Sequence, residues 1–297
     1  MRTFTNPIIE NSEKFNTSDP YVLLHKGMYY HCYANKTGVY VAKSKTIEGI
    51  GNAEPKRVYA YSQDRVADFD WYAPELHYIN NVWYIYGSPN MGNQCHTMAV
   101  LENKSQDPMQ PFQNKGVVRG LKNKWTLDGT VLLYEGKYYL IWSNGMELVI
   151  SLLVAPWEIA DKGHIIGCLE YDFEKQNGEV MEGPAILKHD GQIFLVYSVN
   201  DSSTDDYALG IMTLKGTDPT RKESWQKHPQ PVFLKTEGIF GPGHCCFTKV
   251  KEKTEWKDYI VYHANLQSGT GWNGRSVWAQ EISYDEKGFP IFGKPQR

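Results

Sequence analysis

The sequence lacks several features that define other classes of protein. No stretch approaches about 18 consecutive apolar residues, so no membrane-spanning helix is predicted. The formal net charge is -3 with acidic and basic residues interspersed, which differs from the basic stripe of a nucleic-acid-binding surface. The five cysteines show no CxxC spacing, and we expect them to be reduced, structural thiols. We therefore expect neither a membrane nor a nucleic acid as a partner.

Common catalytic motifs are also missing. There is no G-x-S-x-G, no P-loop and no H-E-x-x-H, which argues against serine hydrolases, nucleotide-binding proteins and zinc proteases. "GTGWNG" at 269–274 fits G-x-G-x-x-G, but it precedes a strand-like segment and lies in no βαβ unit, so it is predicted to be a loop. The N-terminal stretch lacks a positive start followed by an apolar run. The expected location is the cytoplasm for the chain as it stands, or outside the cell if a leader has been removed.

A repeated unit organises what is present. A charged residue, an apolar run, a turn and an aromatic run recur five times, at intervals of 56, 53, 54 and 62 residues between leading residues. The five copies are "DPYVLLHKGMYYHCYA", "ELHYINNVWYIYGS", "DGTVLLYEGKYYLIWS", "EGPAILKHDGQIFLVYS" and "HCCFTKVKEKTEWKDYIVYHA". Each copy has the signature of a β-hairpin.

The repeat predicts an all-β fold. The stretches between copies also resemble strands, and long amphipathic helical patterns are absent. About four strands per unit, repeated five times at a period slightly above the ~50 residues of kelch repeats, predict a five-bladed β-propeller. A β-sandwich would not explain one residue type recurring at one phase of every unit. We expect residues 1–297 to form a single catalytic propeller domain.

The leading residues of the five copies are the candidate functional residues. The innermost strand of each propeller blade lines the central channel, so residues at equivalent phase converge near the axis. This places around one pocket Asp19, Glu75, Asp128, Glu182 and His244. Any one acid could simply cap a turn. Four carboxylates and an imidazole together would raise carboxyl pKa values and are seldom tolerated without a functional role.

The surrounding composition suits a sugar substrate. Two carboxylates in different environments can provide the general acid and base that cleave a glycosidic bond. The chain has nine Trp and twenty Tyr, whose rings offer apolar faces to sugar C–H groups. Most of these aromatics lie at alternating strand positions and are expected to pack in the blades. Trp71 and Trp125 are the better candidates for substrate contacts, because they lie just before leading acids.

At these residues the sequence resembles glycoside hydrolase family 43, in particular its α-L-arabinofuranosidase branch. Seven ordered motifs carry the resemblance across nearly the whole chain: "SDPYV", "WYAPELHYINNVWYIYGS", "WTLDGTVLLYEGKYYLIWS", "EGPAILKHDGQIFLVYS", "GPGHCCF", "IVYHA" and "GRSVWAQEISYDEKGFPIFGKP". The "WYAPE" motif carries an extra residue, Tyr72, relative to the commoner Trp-Ala-Pro-Glu form. The fold that the resemblance implies is a five-bladed propeller, in agreement with the repeat count.

The resemblance also implies roles. Asp19 would be the general base, Asp128 would tune and orient the acid, and Glu182 would be the general acid of an inverting mechanism. Arg275 would hold the acid or a sugar hydroxyl, and Glu75 would organise the substrate site. No cofactor would be required for the chemistry. His244 would reach the channel centre and contact a structural calcium, directly or through water, although a histidine bonded to a neighbouring blade is equally compatible with the pattern.

The function predicted from this resemblance is that of an exo-acting α-L-arabinofuranosidase, which releases terminal arabinose from arabinan or arabino-oligosaccharides. Two alternatives stay open at this point: a β-xylosidase of the same family, and a non-catalytic carbohydrate-binding propeller. A binding module would retain affinity without turnover. Linkage preference depends on loop shapes that the repeat does not specify, and nothing in the pattern indicates an oligomeric state.

Overall fold

The computed structural model describes residues 5–12, 15–61, 69–91, 95–122 and 124–297. Their strands form five antiparallel sheets arranged as the blades of a five-bladed β-propeller, as predicted, together with one small two-stranded ribbon. In this part of the chain, no helix has the length and apolar character needed to cross a membrane.

The strands follow each other along the chain from the innermost to the outermost position of each blade. Blade 1 contains β1 (Tyr21–His25), β2 (Met28–Asn35), β3 (Gly38–Ser44) and β4 (Lys56–Ala60). Blade 2 contains β5 (Phe69–Ile79), β6 (Val82–Asn90), β7 (Ala99–Asn103) and β8 (Gln113–Val117). Blade 3 contains β9 (Leu127–Tyr134), β10 (Lys137–Ser143) and β11 (Glu147–Ala155), with β12 (Glu158–Ile159) and β13 (His164–Cys168) both pairing with β11.

The last two blades are built in the same order. Blade 4 contains β14 (Met181–His189), β15 (Gln192–Val199), β16 (Ala208–Leu214) and β17 (Trp225–Lys227). Blade 5 contains β18 (Phe240–Glu252), β19 (Glu255–Asn265) and β20 (Arg275–Glu281), and the ribbon consists of β21 (Ser283–Tyr284) and β22 (Pro290–Ile291). Short 3-10 turns are found at Glu48–Asn52, Asp172–Glu174, Lys222–Ser224 and Gly271–Gly274.

Tight turns join the two innermost strands of blades 1 to 4. In each of these turns both residues have positive φ: Lys26 and Gly27, Asn80 and Asn81, Glu135 and Gly136, Asp190 and Gly191. Positive φ at both residues of a two-residue loop is the type I′ turn, whose twist matches that of the flanking strands. The second turn residue is always Gly or Asn, for which left-handed backbone costs little.

The core consists of five apolar clusters, one at each boundary between blades. Because every blade packs between two others, both faces of its sheet are buried, and strands such as β15 ("QIFLVYSV") are continuous apolar runs. Representative pairs across the five boundaries are Val39 with Trp83, Tyr86 with Trp142, Ile150 with Tyr197, Phe194 with Trp278, and Val261 with Tyr33. Five boundaries among five blades make a closed ring.

The N-terminal segment extends the outer edge of blade 5. The Val277 N–H donates to the Ile9 carbonyl at 2.9 Å, and the Ile8 N–H donates to the Val277 carbonyl at 2.8 Å. The Asn6 side chain continues the pairing, since it donates to the Ala279 carbonyl and accepts from the Ala279 N–H, both at 2.9 Å. The first residues described are thus fastened to the last blade.

Near the start of each innermost strand, a residue lies in the left-handed region of backbone conformation. The five residues, with φ between 41° and 56°, are Asp19, Ala73, Asp128, Gly183 and His244. In blades 1 to 4 this residue stands seven positions before the first turn residue, as Asp19 does before Lys26. Glu182 directly precedes the position, whereas Glu75 follows it by two residues.

Candidate active site

A cavity of about 320 Å³ opens where the innermost strands begin. It is lined by Asn16, Ser18, Asp19, Ala34, Trp71, Tyr72, Ala73, Pro74, Leu127, Asp128, Glu182, Ser202, His244, Trp272 and Arg275. Four of the five leading residues therefore meet, together with the predicted Trp71 and Arg275. A concave site with a few convergent polar groups among apolar walls is typical of a small-molecule site.

Glu75 does not line this cavity. It is 6% exposed and borders a second cavity of about 330 Å³, nearer the hairpin ends of the innermost strands, with Tyr21, Thr130, Ala185 and Cys246. His77 Nε2 lies 2.8 Å from Glu75 Oε2. The expectation that all five leading residues share one pocket is wrong for Glu75. The copies of the repeat were aligned on their charged residues, which selected Glu75 in blade 2. The backbone position equivalent to Asp19 is instead occupied by Ala73.

The two predicted tryptophans are placed differently. Trp71 is 3% exposed and its ring forms part of the cavity wall. Trp125 is 40% exposed and does not border the cavity; its ring covers Gly145, where an added Cβ would lie 2.9 Å from it. A substrate contact by Trp125 stays a prediction.

Asp19 sits among basic groups from blade 5. Its Oδ1 lies 3.4 Å from Arg275 Nη1 and 3.3 Å from His244 Nδ1. Its backbone N–H donates to His263 Nδ1 at 3.2 Å. Since His263 Nδ1 accepts this bond, the ring proton of that histidine resides on Nε2. Burial lowers the pKa of His263 well below its usual range, so the ring is neutral. Asp19 has a side chain that is 25% exposed, which leaves it accessible from the cavity.

Asp128, which is buried, and Glu182, which is partly exposed to the cavity, form a pair joined through the backbone. The Gly183 N–H donates to Asp128 Oδ2 at 3.0 Å. The Tyr207 hydroxyl donates to Glu182 Oε1 at 2.8 Å. Each carboxyl thus keeps one oxygen in a defined hydrogen bond, which orients the group.

The pair is held in a partly protonated state. Burial, and after it the charge of Asp128, raises the pKa of Glu182 to about 8. Burial and the charge of Asp19 raise the pKa of Asp128 in the same direction. Removing a carboxylate from water and placing like charges side by side both disfavour ionisation. The pair therefore keeps at least one proton at neutral pH, so it can provide a general acid.

His244 occupies the channel position expected for a metal contact. Its Nδ1 faces two carboxylates, Asp19 Oδ1 at 3.3 Å and Asp128 Oδ2 at 3.8 Å, and its backbone N–H donates to Ser198 Oγ at 2.9 Å. Calcium takes six to eight oxygen ligands. Among the described residues, no group of three or more His, Cys, Asp and Glu side chains is arranged to hold a metal ion. These side chains alone do not fit calcium, which stays an implication of the resemblance.

Several residues that contact the site were missed by sequence reasoning. Tyr207 contacts Glu182 and His263 contacts Asp19, and the two rings stack at 5.6 Å between centroids. The Ser202 carbonyl accepts a bond from Arg275 Nη2 at 2.9 Å and fixes that guanidinium. Tyr72 and Trp272 are exposed aromatics on the cavity wall. The extra Tyr72 was one visible signal, and His263 stands within the "IVYHA" motif, where its position near the end of the repeat gave no role. Tyr207 and Ser202 stand outside the repeated motifs, and Trp272 lies in a segment interpreted only as a loop.

The closed propeller places three carboxyl groups, an arginine and aromatic rings in one cavity. These are the groups that a glycoside hydrolase needs, since it cleaves its substrate with a pair of carboxyl groups. Residues 4–290 match the family model described as Glycosyl hydrolases family 43, and the chain belongs to that family. The resemblance found in the sequence is thereby confirmed.

The curated relatives that match the chain are named α-L-arabinofuranosidases. The chain is 30% identical to the "Extracellular exo-alpha-(1->5)-L-arabinofuranosidase" of Streptomyces avermitilis over 99% of this chain and 64% of that protein. It is 31% identical to a protein of the same name from Streptomyces chartreusis, over 88% and 82%. The solved structure of an α-L-arabinofuranosidase from Lactobacillus brevis superposes with a TM-score of 0.89 at 29% identity, covering 98% and 96%. The chain thus spans less than two thirds of the Streptomyces avermitilis relative.

Proposed function

We propose that the chain is an inverting, exo-acting α-L-arabinofuranosidase that removes terminal arabinose from arabinan or arabino-oligosaccharides, acting as one catalytic propeller unit. The observation that carries the proposal is the pairing, in one cavity, of a carboxyl with a raised pKa, Glu182, and a carboxylate held by a guanidinium, Asp19. The names of the Streptomyces and Lactobacillus relatives support arabinose as the sugar.

Glu182 is the general acid of this proposal. The C1–O bond to the leaving group breaks as the Glu182 proton passes to the glycosidic oxygen. The raised pKa keeps the carboxyl protonated at neutral pH, and the bond from Tyr207 to Oε1 leaves Oε2 to carry the proton. A general acid works best when its pKa lies near the working pH.

Asp19 is the general base. A water molecule attacks C1 from the face opposite the leaving group, and its proton passes to the Asp19 carboxylate, so the product has the inverted anomeric configuration. Inverting enzymes separate acid and base by roughly 6.5–9.5 Å to leave room for this water. The Arg275 guanidinium, 3.4 Å from Asp19 Oδ1 and bonded to the Ser202 carbonyl, keeps the base in place.

Asp128 modulates the acid and does not touch the bond that breaks. Its negative charge beside Glu182 favours the protonated form of that residue, and the bond from the Gly183 N–H ties the two groups together. No cofactor takes part in these steps. In the proposal, Trp71 forms part of the wall for the sugar, and Glu75 acts only through its charge, since it lies in the neighbouring cavity.

The experiment compares the wild type with Asp19→Ala, Glu182→Gln and the control Glu255→Gln, which lies on the exposed blade 5 hairpin. The substrates are 1,5-linked arabinotriose, 4-nitrophenyl α-L-arabinofuranoside and the corresponding β-D-xyloside. We expect arabinose release by the wild type and the control, and almost none by the two site variants on arabinotriose. Early proton NMR spectra should show β-arabinofuranose as the first product.

The outcomes separate the alternatives. Hydrolysis of the xyloside alone would keep the acid and base and replace the sugar. Retention of activity in both site variants would refute the assignment. Sugar binding without any turnover would favour a binding propeller. The relatives named extracellular favour action outside the cell over the cytoplasm, and fractionation of the native cells tests that point.

A further inference from the structure

Trp272 is an exposed ring held in a fixed orientation. Trp272 is 62% exposed and lines the catalytic cavity. Its indole N–H donates to Ser202 Oγ at 3.1 Å. No described aromatic ring stacks on it. The polar edge of the indole is thus occupied by the protein, while its apolar face is free. A protein gains little by exposing and orienting a large apolar ring unless something binds to it.

The loop that carries Trp272 is fastened to blade 4. Asp205 accepts bonds from the Gly269 N–H at 3.0 Å and from the Ser268 hydroxyl. The Asn265 side chain donates to the Gly271 carbonyl at 3.0 Å. The two bonds to Asp205 connect the segment between β19 and β20 to the segment between β15 and β16, and the bond from Asn265 holds the segment to the end of β19. The ring is therefore pre-organised, which lowers the entropic cost of binding.

The fastened loop stands beside the general acid. Ser202 and Tyr207 belong to the segment after β15, in the blade whose innermost strand carries Glu182, and Tyr207 bonds Glu182 directly. The leaving oxygen must lie within hydrogen-bond reach of Glu182. Ser202 and Trp272 line the same cavity as Glu182, so the group attached to that oxygen can extend along the wall that they form. Tyr72, on blade 2, already has one face stacked on His96, with ring centroids 3.9 Å apart.

We propose that Trp272 is the platform for the leaving-group sugar, the unit on the far side of the bond that is cleaved. The inference rests on the proposed function. The indole face would cover the C–H face of a neutral sugar ring, and Ser202 would hold the indole. The arabinose that is released would bind deeper, among Trp71, Asp128 and Arg275, out of contact with Trp272.

The test measures binding, so that it does not depend on turnover. The parent is Glu182→Gln, and the variants add Trp272→Ala, Trp272→Phe or the control Trp256→Ala, an exposed tryptophan on the blade 5 hairpin. Calorimetry gives the Kd of 1,5-linked arabinobiose, which reaches the platform, and of methyl α-L-arabinofuranoside, which does not. We expect Trp272→Ala to weaken arabinobiose binding about tenfold, Trp272→Phe to weaken it less, and the furanoside Kd to stay constant.

The other outcomes refute the proposed role of Trp272. Equal weakening for both glycosides would place Trp272 in the arabinose site or make its role structural, and an unchanged arabinobiose Kd would remove the contact. Trp256→Ala should leave both Kd values at those of the parent. If the parent binds neither glycoside, both the proposed function and the role of Trp272 are refuted. If the parent binds both glycosides and Trp272→Ala binds them equally well, only the role of Trp272 is refuted.

Discussion

Replacing Asp128 by Asn removes one negative charge beside Glu182, the proposed general acid, while keeping the shape of the side chain. The amide oxygen can still accept the Gly183 N–H, so the backbone contact survives. The pKa of Glu182 is raised from its ordinary 4.5 to about 8, with burial as the largest cause and Asp128 as the second. Both causes raise the pKa, so loss of the Asp128 charge should lower the pKa of Glu182, by about 1–1.5 for a charge directly beside it.

The sign of the effect follows from the role of the acid. In the proposed role Glu182 acts in its protonated form, so activity should be lost as pH rises through its pKa. In Asp128→Asn the alkaline limb of the kcat/KM profile should move from near pH 8 to about pH 6.5–7. At pH 8 the protonated fraction of Glu182 should fall by about five- to sixteenfold.

The assay is the pH dependence of kcat/KM for 1,5-linked arabinotriose and for 4-nitrophenyl α-L-arabinofuranoside. The loss should be larger for arabinotriose, because a sugar alkoxide needs the proton more than 4-nitrophenolate does. An alkaline limb that does not move, with equal losses on both substrates, would refute the reasoning and leave Asp128 with a purely structural role.

Three further predictions follow from single contacts. Tyr207→Phe removes a donor that favours ionised Glu182, so the alkaline limb of the pH profile should move about one unit upward; a downward movement would contradict this. Asn6→Ala removes two bonds to Ala279 and one to the Gln296 carbonyl, and should lower the free energy of unfolding by about 2–3 kcal/mol in urea titrations; an unchanged midpoint would show that the N-terminal segment does not secure the ring. Chelation with EDTA should leave kcat on arabinotriose unchanged, because protons and water are the only species that the proposed steps move; loss and recovery with calcium would establish a resident cation.

The fold was accessible from the sequence because its signals are local. A two-residue turn with Gly or Asn in the second position, flanked by apolar strands, specifies a hairpin within about 15 residues. The hairpin recurs in every blade, so one pattern supported by five copies predicted the propeller. Asp19, Asp128 and Glu182 were found in the same way, since each stands beside the start of such a hairpin.

The rest of the site depends on contacts between residues that are distant in the chain, which no local pattern specifies. Tyr207 reaches Glu182 from the far side of a long connection, and His263 of blade 5 meets the backbone of Asp19. Trp272 lies in a segment that resembles an ordinary loop, and its position follows from bonds to Asp205 and Ser202. These partners are separated in the chain by tens to hundreds of residues, so only the folded ring brings them together.

The wrong placement of Glu75 shows which backbone position determines the side chains that enter the cavity. At the start of each innermost strand one residue takes left-handed backbone, which costs a non-glycine residue about 1–2 kcal/mol. Blade 4 has Gly183 there and avoids most of that cost, but Asp19, Asp128 and His244 do not. Strain of this kind persists where the surrounding structure over-determines it, and here it accompanies side chains that enter the catalytic cavity. A search for acids finds Glu75, whereas a search for the position seven residues before each type I′ turn finds Ala73 and explains why blade 2 contributes no carboxylate to the cavity.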